Sequence, residues 1–407
     1  MNDLRRFATT WMFALAAVVL LSGGDWLQFR GNDTDGRSDD EPLPTSWTAA
    51  GENIAWKVDL KGRGLSTPIV IGDKVVVTSS SRFHQDRLHV TCFDANSGEQ
   101  LWERQAWATG RTMCHPKMCN ATPTPASDGE RIFAFYSSND VICLDLNGNL
   151  LWFRGLTHDY PNASNSLGMA SSPVVMGDTL IVQVENDAES FSTGLNVETG
   201  EPRWKLDRPQ IANWASPTIL RGLTEEEDLV LLQSPTDLQA VNPQTGDVVW
   251  TYTQGASGIP SSVAGDGTVF VPSNGLTALR TLPGSKEPAI VWQSPKAPPS
   301  TASPIYYDGR IFVVTRAGVL LCVDPTNGEE IWKMRVAGPF SSTPLAANGY
   351  IYLFNEAGIG YVVRAGETEG EQISENDLQE TILCTPSAAN GGLYVRSDAH
   401  LWKIATP

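Results

Sequence analysis

The 407-residue sequence is short of the groups that usually mark an active site. Five histidines are present, and His84, His89, His158 and His400 are scattered, with no nucleophile or metal-ligand spacing around any of them. No Ser-His-Asp order, phosphate-cradling glycine loop or paired-carboxylate motif stands out. Hydrolase and nucleotide-binding chemistry therefore have no footing. Basic residues are also scarce, 29 against 46 acidic ones, for a net charge of −17. Such a surface repels nucleic acid and anionic lipid and leaves cationic or neutral partners open. Helical periodicity is rare, so bundles and helical solenoids are excluded.

One apolar run interrupts this pattern. Arg5 and Arg6 precede Met12 to Leu21, and Ser22, Gly23 and Gly24 follow, the three-part plan of a secretory signal peptide. The run is short for a bilayer span, which makes a retained N-terminal membrane anchor the minor alternative. No cysteine follows Leu21 closely, so lipoprotein anchoring is not supported. Residues 1–24 are accordingly expected to be a signal peptide, and the mature chain, with no transmembrane segment, periplasmic or secreted. Losing Asp3, Arg5 and Arg6 brings the net charge to about −18.

What is abundant is a repeat. Cys92-Phe93-Asp94 leads through Gly98 to Trp102, and Cys322-Val323-Asp324 leads through Gly328 to Trp332. Leu195-Asn196 with Gly200 and Trp204, Val241-Asn242 with Gly246 and Trp250, and a shorter Leu144-Asp145 with Gly148 and Trp152 are further copies. In each, the glycine lies four residues before the tryptophan. A strand ending in Asp or Asn, a glycine supplying positive φ and a second strand make a β-hairpin. An indole at a fixed offset predicts one recurring job, filling the seam between neighbouring units. A hairpin repeat of roughly 40 to 50 residues indicates a propeller.

A second recurring element counts the blades. Small residues and proline followed by a glycine turn open an innermost strand at Ser66-Thr67-Pro68, Ala121-Thr122-Pro123, Ser171-Ser172-Pro173, Ala215-Ser216-Pro217, Ser261-Ser262, Ala302-Ser303-Pro304, Ser342-Thr343-Pro344 and Cys384-Thr385-Pro386. Eight openings predict an all-β, eight-bladed propeller of four-stranded antiparallel blades over residues 53–407. Ile54 to Val58 lacks a hairpin partner and the last segment lacks an outer strand, so pairing first with last closes the ring. Residues 25–52 lack alternation and read as an extended arm over the propeller, pinned by Trp26 and Trp47. Blades 5 and 7, with an inserted loop at Gly284 and Ile373 in place of tryptophan, are expected to be the least regular.

These residues resemble the pyrroloquinoline-quinone-type (PQQ-like) repeat across the mature chain. The opening Trp26-Leu27-Gln28-Phe29-Arg30-Gly31, Gly62-Arg63-Gly64 and the ending Leu393-Tyr394-Val395-Arg396 are similar to a secreted, planctomycete-type branch of unknown function. The β-barrel assembly lipoprotein BamB is a relative in fold. The resemblance admits a quinoprotein oxidoreductase using PQQ with Ca²⁺, but such enzymes add adjacent cysteines, absent here, and a cage of oxygen ligands. Asn186, Asp187 and Glu189 are oxygen-rich, though a solvated acidic loop accounts for them.

The loop Cys114-His115-Pro116-Lys117-Met118-Cys119 precedes the second blade and should stand at the channel mouth. Its cysteines are expected to form a local disulfide if exported; a metal site of Cys114, His115 and Cys119 lacks a fourth ligand. Symmetry places Arg63, Asn165, Trp214 and Ser261, with Arg208 nearby, on the same face as His115 and Lys117, as candidate binding residues. Cys92, Cys143 and Cys322 share one slot in three blades and read as packing. No catalytic residue, cofactor or metal is assigned. The expected role is a non-enzymatic scaffold binding an envelope protein or glycan, with a PQQ- or metal-dependent oxidoreductase as the alternative.

Overall fold

The computed structural model describes residues 24–38, 43–164 and 166–406; the expected signal peptide lies outside them except for Gly24. Eight antiparallel sheets stand around a channel. Blade 1 runs outward through Ile69–Ile71, Lys74–Ser81, Arg87–Asp94 and Gln100–Trp107. Blades 2 to 7 repeat this order, with innermost strands Ala126–Ser127, Val174–Met176, Thr218–Leu220, Val263–Gly265, Ile305–Tyr307 and Leu345–Ala347. Blade 8 is composite: Ser387–Ala389, Gly392–Arg396 and His400–Ala405 come from the chain's end, and Ile54–Asp59 pairs on the outside with Lys57 opposite Trp402. Pairing distant segments in this way leaves no first or last blade with an open edge.

The hairpin unit behaves as its residues predict, with one addition. Gly98, Gly148, Gly200, Gly246 and Gly328 all have φ between +71° and +78°. Each also seats the indole of the preceding blade: a Cβ on Gly148 would meet Trp102 at 2.7 Å, and one on Gly328 would meet Trp292 at 2.5 Å. The indole N–H then donates into the same turn, from Trp102 to Leu146 O at 3.1 Å, Trp152 to Val197 O at 2.9 Å and Trp204 to Pro243 O at 2.9 Å. Trp56 of the composite blade does the same toward Ala95 O, 3.1 Å. A β-bulge between the third and outer strand recurs in every blade next to this position, bending the outer strand so that its aromatic side chain reaches across the seam.

The expected irregular blades keep four regular antiparallel strands. Blade 5 lacks the Asp-to-Gly turn, so Trp250 of blade 4 is buried with its indole N–H unpartnered. Blade 7 substitutes for its missing tryptophan from elsewhere: Trp47 of the arm stacks on Phe354, centroids 5.7 Å apart, and covers Gly360. The blade 2 opening is also displaced from the expected register. Thr124-Pro125, not Thr122-Pro123, precedes Ala126–Ser127, because Thr122 is held back by Cys119, whose N–H donates to Thr122 Oγ1 at 2.9 Å.

The arm does more than lie over the ring. Trp26 pairs with Val70 of blade 1 through two 2.9 Å backbone bonds, and Leu27 O accepts from Ser127 of blade 2. Gln28 Oε1 accepts from Val175 of blade 3, and Thr34 Oγ1 from Ile219 of blade 4. Arg30, fully buried, donates to Ser262 O of blade 5 at 2.7 Å and Pro304 O of blade 6 at 3.3 Å. Arg37–Ser38 runs parallel to the innermost strand of blade 7, and Gly24 abuts Asn390 of blade 8. One short segment thus touches all eight blades and plugs the channel toward the ends of the innermost strands. Burial lowers the Arg30 pKa to about 10, partly offset by Asp35, and raises that of Asp35 to about 6 despite Arg37.

Candidate functional site: the blind channel mouth

Each innermost strand is preceded by a Ser or Thr hydroxyl facing the channel. The N–H of Thr67 donates to Thr124 Oγ1 at 2.9 Å, Thr124 to Ser172, Ser172 to Ser216, Ser216 to Ser261, Ser261 to Ser303, Ser303 to Thr343, and Thr343 to Thr385, all at 2.9 to 3.1 Å. The small residues at these openings therefore have a hydrogen-bonding role beyond relief of crowding: each backbone N–H, otherwise orphaned at a strand's start, is satisfied by the next blade. No such bond joins Thr385 to Thr67 among the described residues, and the Thr67 hydroxyl is buried without a partner.

These eight residues wall a cavity of about 390 Å³. Phe29 of the arm lines its inner end, and Leu65, Leu167, Trp214, Ile259 and Leu383 add an apolar upper wall. The channel is consequently a blind well with one mouth. Seven ring oxygens already accept an amide, and none of the eight hydroxyls donates to an acceptor among the described residues. The ring therefore offers unspent O–H donors, each on an oxygen that keeps some acceptor capacity of its own.

The 114–119 loop forms one side of the mouth. Arg63 holds it in place, donating to Pro116 O at 2.9 Å and Met118 O at 2.8 Å while paired with Asp398 at 3.1 Å. His115 donates its backbone N–H to Leu167 O, and its Nδ1 accepts from Lys117 N at 3.2 Å. Lys117 reaches across the opening to Glu356 of blade 7, its Nζ lying 2.9 and 2.8 Å from the two carboxylate oxygens. Ser341 Oγ donates to Glu356 at 2.8 Å, completing a strap over the well. Trp214 is fixed by Nε1 donating to Gly168 O, 2.8 Å.

His115, Lys117, Trp214 and Ser261 line the mouth or the well, and Arg63 braces the loop. Asn165 lies outside the described residues. Arg208 does not face the mouth: it is buried at 5 % exposure between blades 3 and 4, 2.7 Å from Glu185 and 2.9 Å from Asp237, with Leu232 O and Gln239 as further acceptors. Proximity in sequence to the blade 4 opening misled, since the guanidinium turns inward to a carboxylate that burial would otherwise leave uncompensated.

The expected Cys114–Cys119 disulfide is not formed; both are free thiols. Cys119 turns into the core beside Ala121 and Tyr136, where burial pushes its pKa up to about 11. Cys114 has different neighbours, packed against Gly168 with Sγ 3.5 Å from Thr112 O and 3.6 Å from Ser137 Oγ. Sequence reasoning missed Phe29, Glu356 and Ser341. The recurrent hydroxyl before proline was a visible signal, and it was read only as small size.

Among the described residues no cluster of three or more His, Cys, Asp or Glu is placed to hold a metal ion. Asn186 is spent on its own turn, donating to Glu189 O and accepting from Ala188, while Asp187 accepts from Ser166. The well's lining contains no carboxylate or carboxamide among the described residues. A Ca²⁺ ion beside a quinone requires such oxygens, so this donor set does not fit the PQQ–Ca²⁺ pair.

Comparison with known proteins agrees with the architecture. Part of the chain is 25% identical over 220 residues to outer membrane protein assembly factor BamB of Alkalilimnicola ehrlichii, covering 51% of this chain and 48% of that one. The chain spans less than half the length of the curated relatives it matches. BamB from Moraxella catarrhalis superposes with a TM-score of 0.61 at 16% identity, over 86% of this chain and 96% of that one. Quinohemoprotein alcohol dehydrogenase from Comamonas testosteroni gives 0.69 at 13%, over 96% and 82%. At these identities the two structures share the fold alone. A family profile described as outer membrane protein assembly factor BamB matches residues 22–177, 89–286 and 285–368, and the chain belongs to that family.

Proposed function

We propose that this chain is an exported, non-enzymatic scaffold of the cell envelope that binds a partner protein at the mouth face of its propeller. The observation that carries this reading is the blind well. Its inner end is stopped by Phe29 and, apart from His115 and Lys117, its lining holds hydroxyls and apolar groups, with no carboxylate or carboxamide among the described residues. The chemically loaded side chains, His115, Lys117, Glu356 and Trp214, stand instead around the rim, where loops of a rigid ring present themselves to a partner. The likeness to proteins named as assembly factor BamB supports the same choice.

A photo-crosslinking amino acid placed at the rim (Thr301) and at the opposite face (Asp73) tests it in the native envelope. The reading expects one reproducible protein adduct from position 301 and none from position 73. Stoichiometric uptake of PQQ with Ca²⁺ and dye-linked alcohol oxidation would instead establish the oxidoreductase. Saturable binding of an envelope glycan, with no protein adduct, would assign the rim to carbohydrate.

A further inference from the structure

A second hollow adjoins the well. That groove, about 720 Å³, is bounded by Pro298, Pro299, Arg316, Pro339 and Phe340, and it shares Lys117, Ile259 and Thr301 with the well. The Lys117–Glu356 strap stands where the two meet. Resting on the scaffold reading, we propose that the combined bay receives the carboxyl-terminal end of a partner polypeptide, its last side chain apolar and seated in the well, its preceding residues lying along the proline-walled groove.

Four features select this occupant. A well with a closed inner end admits a chain end once, whereas an internal loop must enter and return through the same strapped mouth. Each ring hydroxyl still holds an unspent O–H, and such donors converging on one space can surround a carboxylate, which accepts several hydrogen bonds and needs no acceptor in return. The upper wall of Leu65, Leu167, Ile259, Leu383 and Trp214 suits an apolar side chain. The adjoining groove gives further length of chain a place to lie, which a free small acid does not need. Charge agrees: Lys117 and exposed Arg316 flank the bay on a chain with 46 acidic residues against 29 basic ones, so the approach to the well is locally cationic.

The test uses the full chain against a library of hexapeptides immobilised by their amino ends, with hits resynthesised as free acids and as amides. The expected hits end in Leu, Ile, Met or Phe, and amidation weakens them on the order of tenfold or more, the loss of a charge-assisted hydrogen bond set. Ala170→Phe, which fills the well without altering ring or strap, abolishes binding. Lys117→Met, removing a largely exposed cation, weakens it roughly two- to fivefold and flattens its salt dependence. Unchanged melting temperatures of both variants show that the ring is intact. Equal binding of acids and amides, binding that survives Ala170→Phe, or displacement of the peptide by hexanoate at equal concentration overturns the proposal. A protein adduct at position 301 with no peptide selected overturns it while leaving the scaffold reading standing; quinone-dependent turnover overturns both.

Discussion

The seat that each turn glycine offers to the neighbouring indole can be measured by substituting a single methyl group. Gly246 has φ +77°, and a Cβ there would lie 2.7 Å from Trp204 Cγ and 2.9 Å from Trp204 Cβ. The indole has no room to retreat, because its other face rests on Gly194, where an added Cβ would already be 2.3 Å from Nε1. Gly267 provides the control: φ is +69° but nothing lies within 4 Å of its would-be Cβ. Gly267→Ala should cost about 1 kcal/mol, the left-handed strain less the gain from a stiffer unfolded chain. Gly246→Ala adds overpacking of about 1–3 kcal/mol and about 1 kcal/mol for the lost Trp204 N–H bond to Pro243, giving roughly 3–5 kcal/mol in all. Guanidinium unfolding of both variants, compared at equal slope, reads the difference. In a Trp204→Ala background the Gly246→Ala cost should fall to about that of Gly267→Ala. Equal destabilisation by the two alanines in the native background, or no coupling to Trp204, would refute the idea that the glycine serves the seam.

Four further outcomes are expected. Arg208→Met leaves Glu185 buried without its partner and should destabilise by about 3–5 kcal/mol, with Arg208→Lys recovering only part because a single ammonium cannot reach Glu185, Asp237 and Leu232 O together. Arg30→Gln, which removes a buried donor to Ser262 O and Pro304 O, should raise hydrogen exchange throughout residues 25–38 before the rest of the ring responds. Asp35, whose pKa rises from 3.8 to about 6 on burial, binds its proton more readily folded than unfolded; arm protection should therefore increase as pH falls from about 6 to 4 and weaken as it rises, a slope that Asp35→Asn removes. Thiol counting by mass spectrometry after alkylation of the unfolded chain should find all six cysteines free, and an intact Cys114–Cys119 bridge would contradict the separate surroundings of the two thiols.

The ring was legible because its grammar is local. Aspartate, glycine and tryptophan at fixed offsets state a hairpin and a seam in one short stretch, and eight strand openings gave the blade number. The motifs carrying the family resemblance also meet in space: Gly64 leaves room for Arg396, which donates to Thr78 O at 2.7 Å and ties blade 8 to blade 1. The site was only partly legible, since its composition depends on partners far apart in the chain. Lys117 pairs with a carboxylate 239 residues away, and nothing near Glu356 in sequence announces that meeting. Arg208 went astray for the converse reason: its neighbours in sequence sit at the mouth, while burial beside Glu185 gave its charge a better partner. The cysteines failed because five residues of separation says nothing about which neighbours two side chains find: Cys119 packs beside Ala121 and Tyr136, and Cys114 against Gly168.

The arm has a temporal consequence. Residues 24–38 lean on strands distributed from Val70 to Asn390, and Ile54–Asp59 must wait for His400–Ala405 before it has a neighbour. The amino-terminal portion is made first yet can settle only after the final blade exists. Until then its backbone groups lack the partners that the closed circle gives them. Seating of this segment and closure of the ring are accordingly one coupled event.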